Sequence, residues 1–150
     1  MVSVLGLDVG DRRIGLAGSD PTGLVATGLG TIERQSLEQD LAKLQHWIQV
    51  RRADALILGL PRNMNGTVGQ QAQKVQRFGD QLDAAFNLPI HYVDERLTTV
   101  QAKRTLLTRN ISAAKRRALV DQESAVLILQ QWLDQRRWQS SPAISEDPTP

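Results

Sequence analysis

Cysteine is absent from the 150 residues, which excludes a disulfide framework, a thiolate zinc centre and a cysteine nucleophile and suits a cytosolic protein. No hydrophobic run reaches membrane-spanning length, and the N-terminus has no basic segment followed by an apolar one. Neither a membrane anchor nor a secretory leader is expected, and the cytoplasm is the expected compartment. Acids are missing from one long stretch: between Arg96 and Val120 stand seven bases, Arg96, Lys103, Arg104, Arg109, Lys115, Arg116 and Arg117, and no acid. Bases are missing from the last twelve residues, QSSPAISEDPTP, which hold Glu146 and Asp147. Setting these twelve aside removes two of the 16 acids and none of the 18 bases, so the formal charge of +2 understates the positive field of the remainder. A solvated helix face and a nucleic-acid-binding surface both accommodate such a run.

The chain is long enough to bury a core without disulfides or a structural metal, and one domain is expected. Residues 3–9 read as a strand, Gly10-Asp11 as a hairpin turn, IGLAGSD as the returning strand and VATGLGTI as a third. Ser36 and Gln39 form a capping box ahead of Leu37, Leu41, Leu44 and Ile48, which predicts a helix over 37–51. ALILG at 55–59 reads as a buried parallel strand, and RNMNGTVG as a polar loop. Apolar residues from Val68 to Phe86 recur at helical intervals, and IHYV follows as a strand. A third helix is expected from Thr98 or Thr99 to about Leu107, then a basic connector, SAAKRR, and a final helix over about 118–136. Residues 1–138 are expected to form the domain and 139–150 a disordered tail. The order predicts an α/β domain with a mixed sheet, and ligands in such sheets gather at the carboxyl ends of the parallel strands.

Three acidic features fall near element ends: Asp8 late in the first strand, Asp94-Glu95 after IHYV, and Asp121 early in the last helix. Asp8 sits among Leu7, Val9 and Ile14, where an ionised carboxylate is costly unless a cation, a proton or donors compensate. Gly6, Gly10 and Gly15 leave little bulk around it, as though something approaches the backbone closely. Carboxylates brought together repel unless a divalent cation sits between them, and oxygen ligands favour Mg²⁺ or Mn²⁺. Structural explanations compete: Asp8 capping the Gly10–Arg12 amides, Asp121 favouring the dipole of a first helical turn, and one of Asp94 and Glu95 serving only as a charge near a helix start. Adjacent strand residues point to opposite faces, so only one of these two can face Asp8. His46 and His91 read as ordinary residues, and Trp47, Trp132 and Trp138 as packing residues.

LGLDVGDRRIGLA, ILGLPRNMNGTVG, VDERLTTVQA and DQESAVLILQQWL, in this order over about residues 2–134, resemble the YqgF family of the ribonuclease H-like superfamily. The first block is shared with sugar kinases, actin and heat-shock chaperones; the second and third are far more specific. The resemblance implies a ribonuclease H-like fold, with a central five-stranded mixed β-sheet flanked by α-helices, and metal-dependent nuclease chemistry with Mg²⁺ or Mn²⁺, two ions when substrate is bound. It assigns Asp8, Glu95 and Asp121 as catalytic and metal-ligating residues. Of the two roles attached to the family, maturation of the 5′ end of pre-16S rRNA is favoured over resolution of Holliday junctions, so structured or single-stranded RNA is the expected partner and branched DNA the alternative. Nucleic acid is expected at Arg12, Arg13, Arg62, Asn63, Asn65, Arg96, Lys103, Arg104, Lys115, Arg116 and Arg117. The chain departs from the family pattern at Glu123, usually apolar or small, at Asn65, commonly aspartate, and at Arg62, commonly apolar. A homodimer is implied if the substrate is a junction, since two strands must be cut symmetrically. The rivals are a nucleotide-binding module of the sugar-kinase type, which needs two such domains, and a non-catalytic nucleic-acid binder.

Overall fold

The computed structural model describes residues 2–62, 65–94 and 113–139, with side chains in the last helix from Val120 to Arg136. The elements run β1 (Val4–Val9), β2 (Arg13–Ser19), β3 (Ala26–Glu33), α1 (Leu37–Arg51), β4 (Ala55–Leu60), α2 (Gln70–Phe86), β5 (Ile90–Asp94) and α3 (Ala113–Gln139). They build a five-stranded sheet of order β3-β2-β1-β4-β5. β1, β2 and β3 form an antiparallel meander, while β4 pairs in parallel with both β1 and β5. Among the described residues no helix is long and apolar enough to cross a membrane.

Strand alternation divides the core in two. Leu5, Leu7 and Val9 of β1, Ile14 and Leu16 of β2, and Leu56, Leu58 and Leu60 of β4 pack with Leu44 of α1 and with Ala72, Val75, Phe78 and Leu82 of α2. Val4, Ala17, Ala55, Ile57 and Val93 point the other way and pack against Ala125, Ile128, Leu129 and Leu133 of α3. The result is a three-layer α/β/α domain, the mixed-sheet architecture expected. The capping box is present: Ser36 Oγ accepts from Gln39 N–H at 3.1 Å, and Gln39 Oε1 accepts from Ser36 N–H at 3.3 Å. Leu37 lies outside the core at 40% exposure, and Val68 precedes α2, which starts at Gln70 behind the N-cap Gly69.

The largest correction concerns the last helix. SAAKRR is not a connector, because α3 already begins at Ala113 and runs through Gln139. Alanine, lysine and arginine are strong helix formers, and no glycine or proline interrupts the segment. Lys115, Arg116 and Arg117 therefore stand on helical backbone, with side chains outside the described residues. Asp121 moves from the first turn to about two turns inside α3, beyond the reach of the terminal dipole, so that explanation of it falls away. The helix expected over 98–107 and the tail from residue 140 lie outside the described residues.

The close approach anticipated around Asp8 is made by α3. A Cβ on Gly15 would collide with the backbone carbonyl of Asp121, one on Gly6 would stand 2.7 Å from Leu129 Cβ, and one on Gly28 would strike the Gln122 side chain. These three glycines, on β1, β2 and β3, leave a shallow trough in which α3 lies against the sheet. A rigid backbone cannot yield as a glutamine side chain can. Gly15→Ala should therefore cost about 1–3 kcal/mol, the usual price of overpacking, and Gly28→Ala clearly less; denaturant titration of the two variants checks the order.

Candidate functional site

Asp8 lies near the carboxyl end of β1, opposite Gly15 of β2 in the antiparallel ladder. With Val4 and Gly6 it faces α3. Its carboxyl is pushed up from 3.8 to about 7, first by burial and second by the negative charge of Asp121. Among the described residues no donor bonds that carboxyl, so it is not a cap for the Gly10–Arg12 amides; the turn is closed by Gly10 N–H donating to the Arg13 carbonyl at 2.9 Å. Two acids from distant parts of the sequence thus meet at the trough.

Asp121 does have a cationic partner. Arg13 Nε donates to its Oδ2 at 2.6 Å, and both side chains are about a quarter exposed. Arg13 was expected on the nucleic-acid surface; here its guanidinium is turned to the carboxylate pair. The hairpin carrying Asp8 and Arg13 is itself braced by Arg34. Arg34 Nη1 donates to the Gly10 carbonyl at 2.7 Å, its Nε to Asp40 Oδ2 at 3.3 Å, and its guanidinium stacks over Phe78 at 4.8 Å. Asp40 is almost fully buried and also accepts from Gln35 N–H at 2.9 Å. Sequence reading missed this brace, which joins residues remote in the chain.

Asp94 follows Ile90 and Tyr92 in alternation. Ile90 packs with the α1/α2 core, and Tyr92 reaches Gly79 of α2, whereas Val93 lies in the α3-side cluster. Asp94 is therefore on the face opposite Asp8. Glu95 lies outside the described residues, as do Asn63, Arg96, Lys103 and Arg104. Arg12 is exposed at the hairpin tip. Arg62 is exposed and donates from Nη1 to the Gly66 carbonyl at 3.2 Å, and Asn65 Oδ1 accepts from Thr67 N–H at 3.1 Å and Thr67 Oγ1 at 2.7 Å. Both shape their own loop. Trp47 and Trp132 pack on the two cores as expected, the latter beside His91 with ring centroids 5.4 Å apart.

A family model described as RuvX, Holliday junction resolvase, matches residues 2–135. The chain belongs to the RuvX/YqgF family. A relative from Gloeobacter violaceus, named "Putative pre-16S rRNA nuclease", is 59% identical over 142 residues, covering 95% of this chain and 90% of that one. One of the same name from Crocosphaera subtropica is 53% identical over 136 residues, covering 91% and 95%. Among solved structures, RuvC of T. thermophilus in complex with a Holliday junction substrate aligns with a TM-score of 0.53 at 19% identity, over 90% of this chain and 96% of that one. The resolvase of Fowlpox virus with Holliday junction DNA aligns at 0.55 and 10% identity, over 90% and 99%. The fold of this RuvX/YqgF chain is therefore ribonuclease H-like, as expected.

Among the described residues no cluster of three or more acids or histidines is set to hold a metal ion; the described part of the site is the pair Asp8 and Asp121. Burial of Asp8 ties stability to pH. Between 3.8 and about 7 the folded protein holds a proton on Asp8 that the unfolded chain has released, so the stability contributed by this group falls as pH rises through that window. Asp8→Asn removes the effect. Without divalent cations, the variant should melt above the parent at about pH 8, by roughly 2–4 °C for each kcal/mol gained, and show no such gain at about pH 4. Thermal melts of both proteins in chelator check this.

Proposed function

We propose that this chain is a divalent-cation-dependent nuclease that matures the 5′ end of pre-16S rRNA, with Asp8, Glu95 and Asp121 as its ligand set. The observation that carries the reading is the approach of Asp8 to Asp121 across the α3 trough, in a chain 59% identical to a relative bearing the pre-16S rRNA nuclease name. The donor chemistry fits. Asp8 is desolvated, unbonded among the described residues and held near a second carboxylate, an arrangement that repels itself until positive charge enters between the two. All three proposed ligands offer hard oxygens suited to Mg²⁺ or Mn²⁺, and we infer two ions when substrate is present.

When bound, such cations supply Lewis-acid stabilisation of the charge that develops on phosphate during hydrolysis. The chain's own residues do the rest. Arg13 holds Asp121 in one orientation through its Nε hydrogen bond. Asp8, rigid on β1 with its carboxyl pushed up to about 7, would hold a cation through its deprotonated oxygens. Arg12, Arg62, Asn63, Asn65, Arg96, Lys103, Arg104, Lys115, Arg116 and Arg117 are assigned to phosphate and sugar contacts, which position a strand without reading its sequence.

The test uses purified protein on a pre-16S rRNA fragment and, in parallel, on a four-way DNA junction, each with Mg²⁺, with Mn²⁺ and with chelator. Cleavage of the RNA at its 5′ flank, lost in chelator, is the expected result; preferential symmetric cleavage of the junction replaces the RNA role with resolution, and binding without metal-dependent hydrolysis overturns the enzyme. Asp8→Asn and Glu95→Gln should each lower the rate by more than about 100-fold, since losing a ligand exceeds the loss from a supporting residue. Asp94→Asn, on the opposite face, should stay within about tenfold of the parent. Equal, small losses from all three return these acids to structural roles.

A further inference from the structure

On the other side of the hairpin tip from Asp8 lies a cleft of about 410 Å³ lined by Asp11, Arg34, Gln35, Lys74, Arg77, Phe78 and Gln81. Lys74, Arg77 and Gln81 follow one another at helical spacing, so α2 presents them on one face. Arg34 is offset by Asp40, with which it bonds beneath the cleft. The surplus positive charge therefore rests on Lys74 and Arg77. Lys74 Nζ stands 3.5 Å from Asp11 Oδ1, but both side chains are more than half exposed, and a pair in that setting holds its partner weakly. Arg77 is exposed and takes part in no ion pair among the described residues.

We propose that this cleft is a second contact point for the substrate strand, where Lys74 and Arg77 grip backbone phosphates flanking the scissile bond. The proposal rests on the nuclease reading for the identity of the strand. Its geometric basis is the hairpin. Asp11, which lines the cleft, is three residues from Asp8, so the Cα atoms of these two residues lie within about 11 Å of each other. Exposed Arg12 stands at the tip between them. A strand leaving Asp8 and Asp121 crosses Arg12 and descends onto α2, with Gln35 and Gln81 offering amide groups to its sugars and phosphates. The Arg34 brace fixes the wall shared by both places, so a strand held in the cleft is held in register with the carboxylates.

Binding of a fluorescent single-stranded RNA in chelator, followed across salt concentration, tests this without any cleavage. Replacing both residues (Lys74→Gln with Arg77→Gln) should lower the slope of log affinity against log salt by about 1.4, at about 0.7 per phosphate contact on a single strand. The charge-preserving pair (Lys74→Arg with Arg77→Lys) should keep the parental slope. Lys43→Gln, which removes a base from a neighbouring surface, should also leave it unchanged. Circular dichroism of each variant confirms that the fold is kept. If the double glutamine variant is folded and binds with the parental slope, the proposal is overturned, whether or not the protein cleaves RNA. A lowered slope in a protein that never cleaves upholds the cleft as a nucleic-acid contact and overturns the nuclease reading alone.

Discussion

The closeness of α3 to the sheet is the constraint on which the rest of the molecule depends. A helix packed at ordinary distance on β-branched or leucine side chains would stand several ångströms farther off, and Asp121 would not feel the charge of Asp8. Gly6, Gly15 and Gly28 remove the side chains that would keep it away, and the tightest contact falls at Asp121 itself, whose carbonyl lies over Gly15. Since Gly15 is the ladder partner of Asp8, the position that admits the helix is also the position beside the buried carboxylate. Packing and chemistry are settled by the same contact.

That contact places two carboxyls together in a poorly solvated setting, where burial and the charge of Asp121 disfavour ionisation of Asp8. The fold tolerates this because Arg13 neutralises Asp121 from the adjoining strand while Asp8 takes up a proton more readily than an ordinary carboxyl. Stability is given up where the two acids meet, and perturbed groups of this kind gather where proteins work. The surrounding structure is correspondingly firm. Leu7 and Val9, the neighbours of Asp8 in β1, are buried in the opposite core, and the Arg34 brace joins the hairpin tip to α1 and α2. A carboxylate on so rigid a strand cannot escape its partner by moving.

Topology explains why the site lies at one end of the sheet. β1, β4 and β5 are parallel neighbours, so their carboxyl ends open together, and Asp8 and Asp94 both lie there. Alternation then separates them: Asp8 faces α3 and Asp94 follows Ile90 and Tyr92 toward α2. The hairpin between β1 and β2 reaches past this edge and offers one side to the carboxylates and the other to the basic cleft of α2. A single turn thereby joins the two faces of the domain.

Much of this was readable in the chain. Five strands, the helix over 37–51 and, but for its first two residues, the one expected over 68–86 follow from hydrophobic period and capping chemistry, because these are local properties of backbone and side chain. Asp8 stood out as a charge in an apolar run, and the glycines beside it signalled a close approach. What approached was not readable: which helix fills a trough is decided by long-range packing of Ala125 and Leu129 against Val4, Ala17 and Ile57, and no local period encodes that choice. The start of α3 was misplaced because a cluster of bases was read as a loop, although alanine, lysine and arginine all favour helix. Arg13 was expected on a nucleic-acid surface, and Arg34, Lys74 and Arg77 were not singled out. A charge acquires a partner only when distant segments fold together, so sequence alone reveals which residues carry charge, and the packed structure decides which of those charges meet.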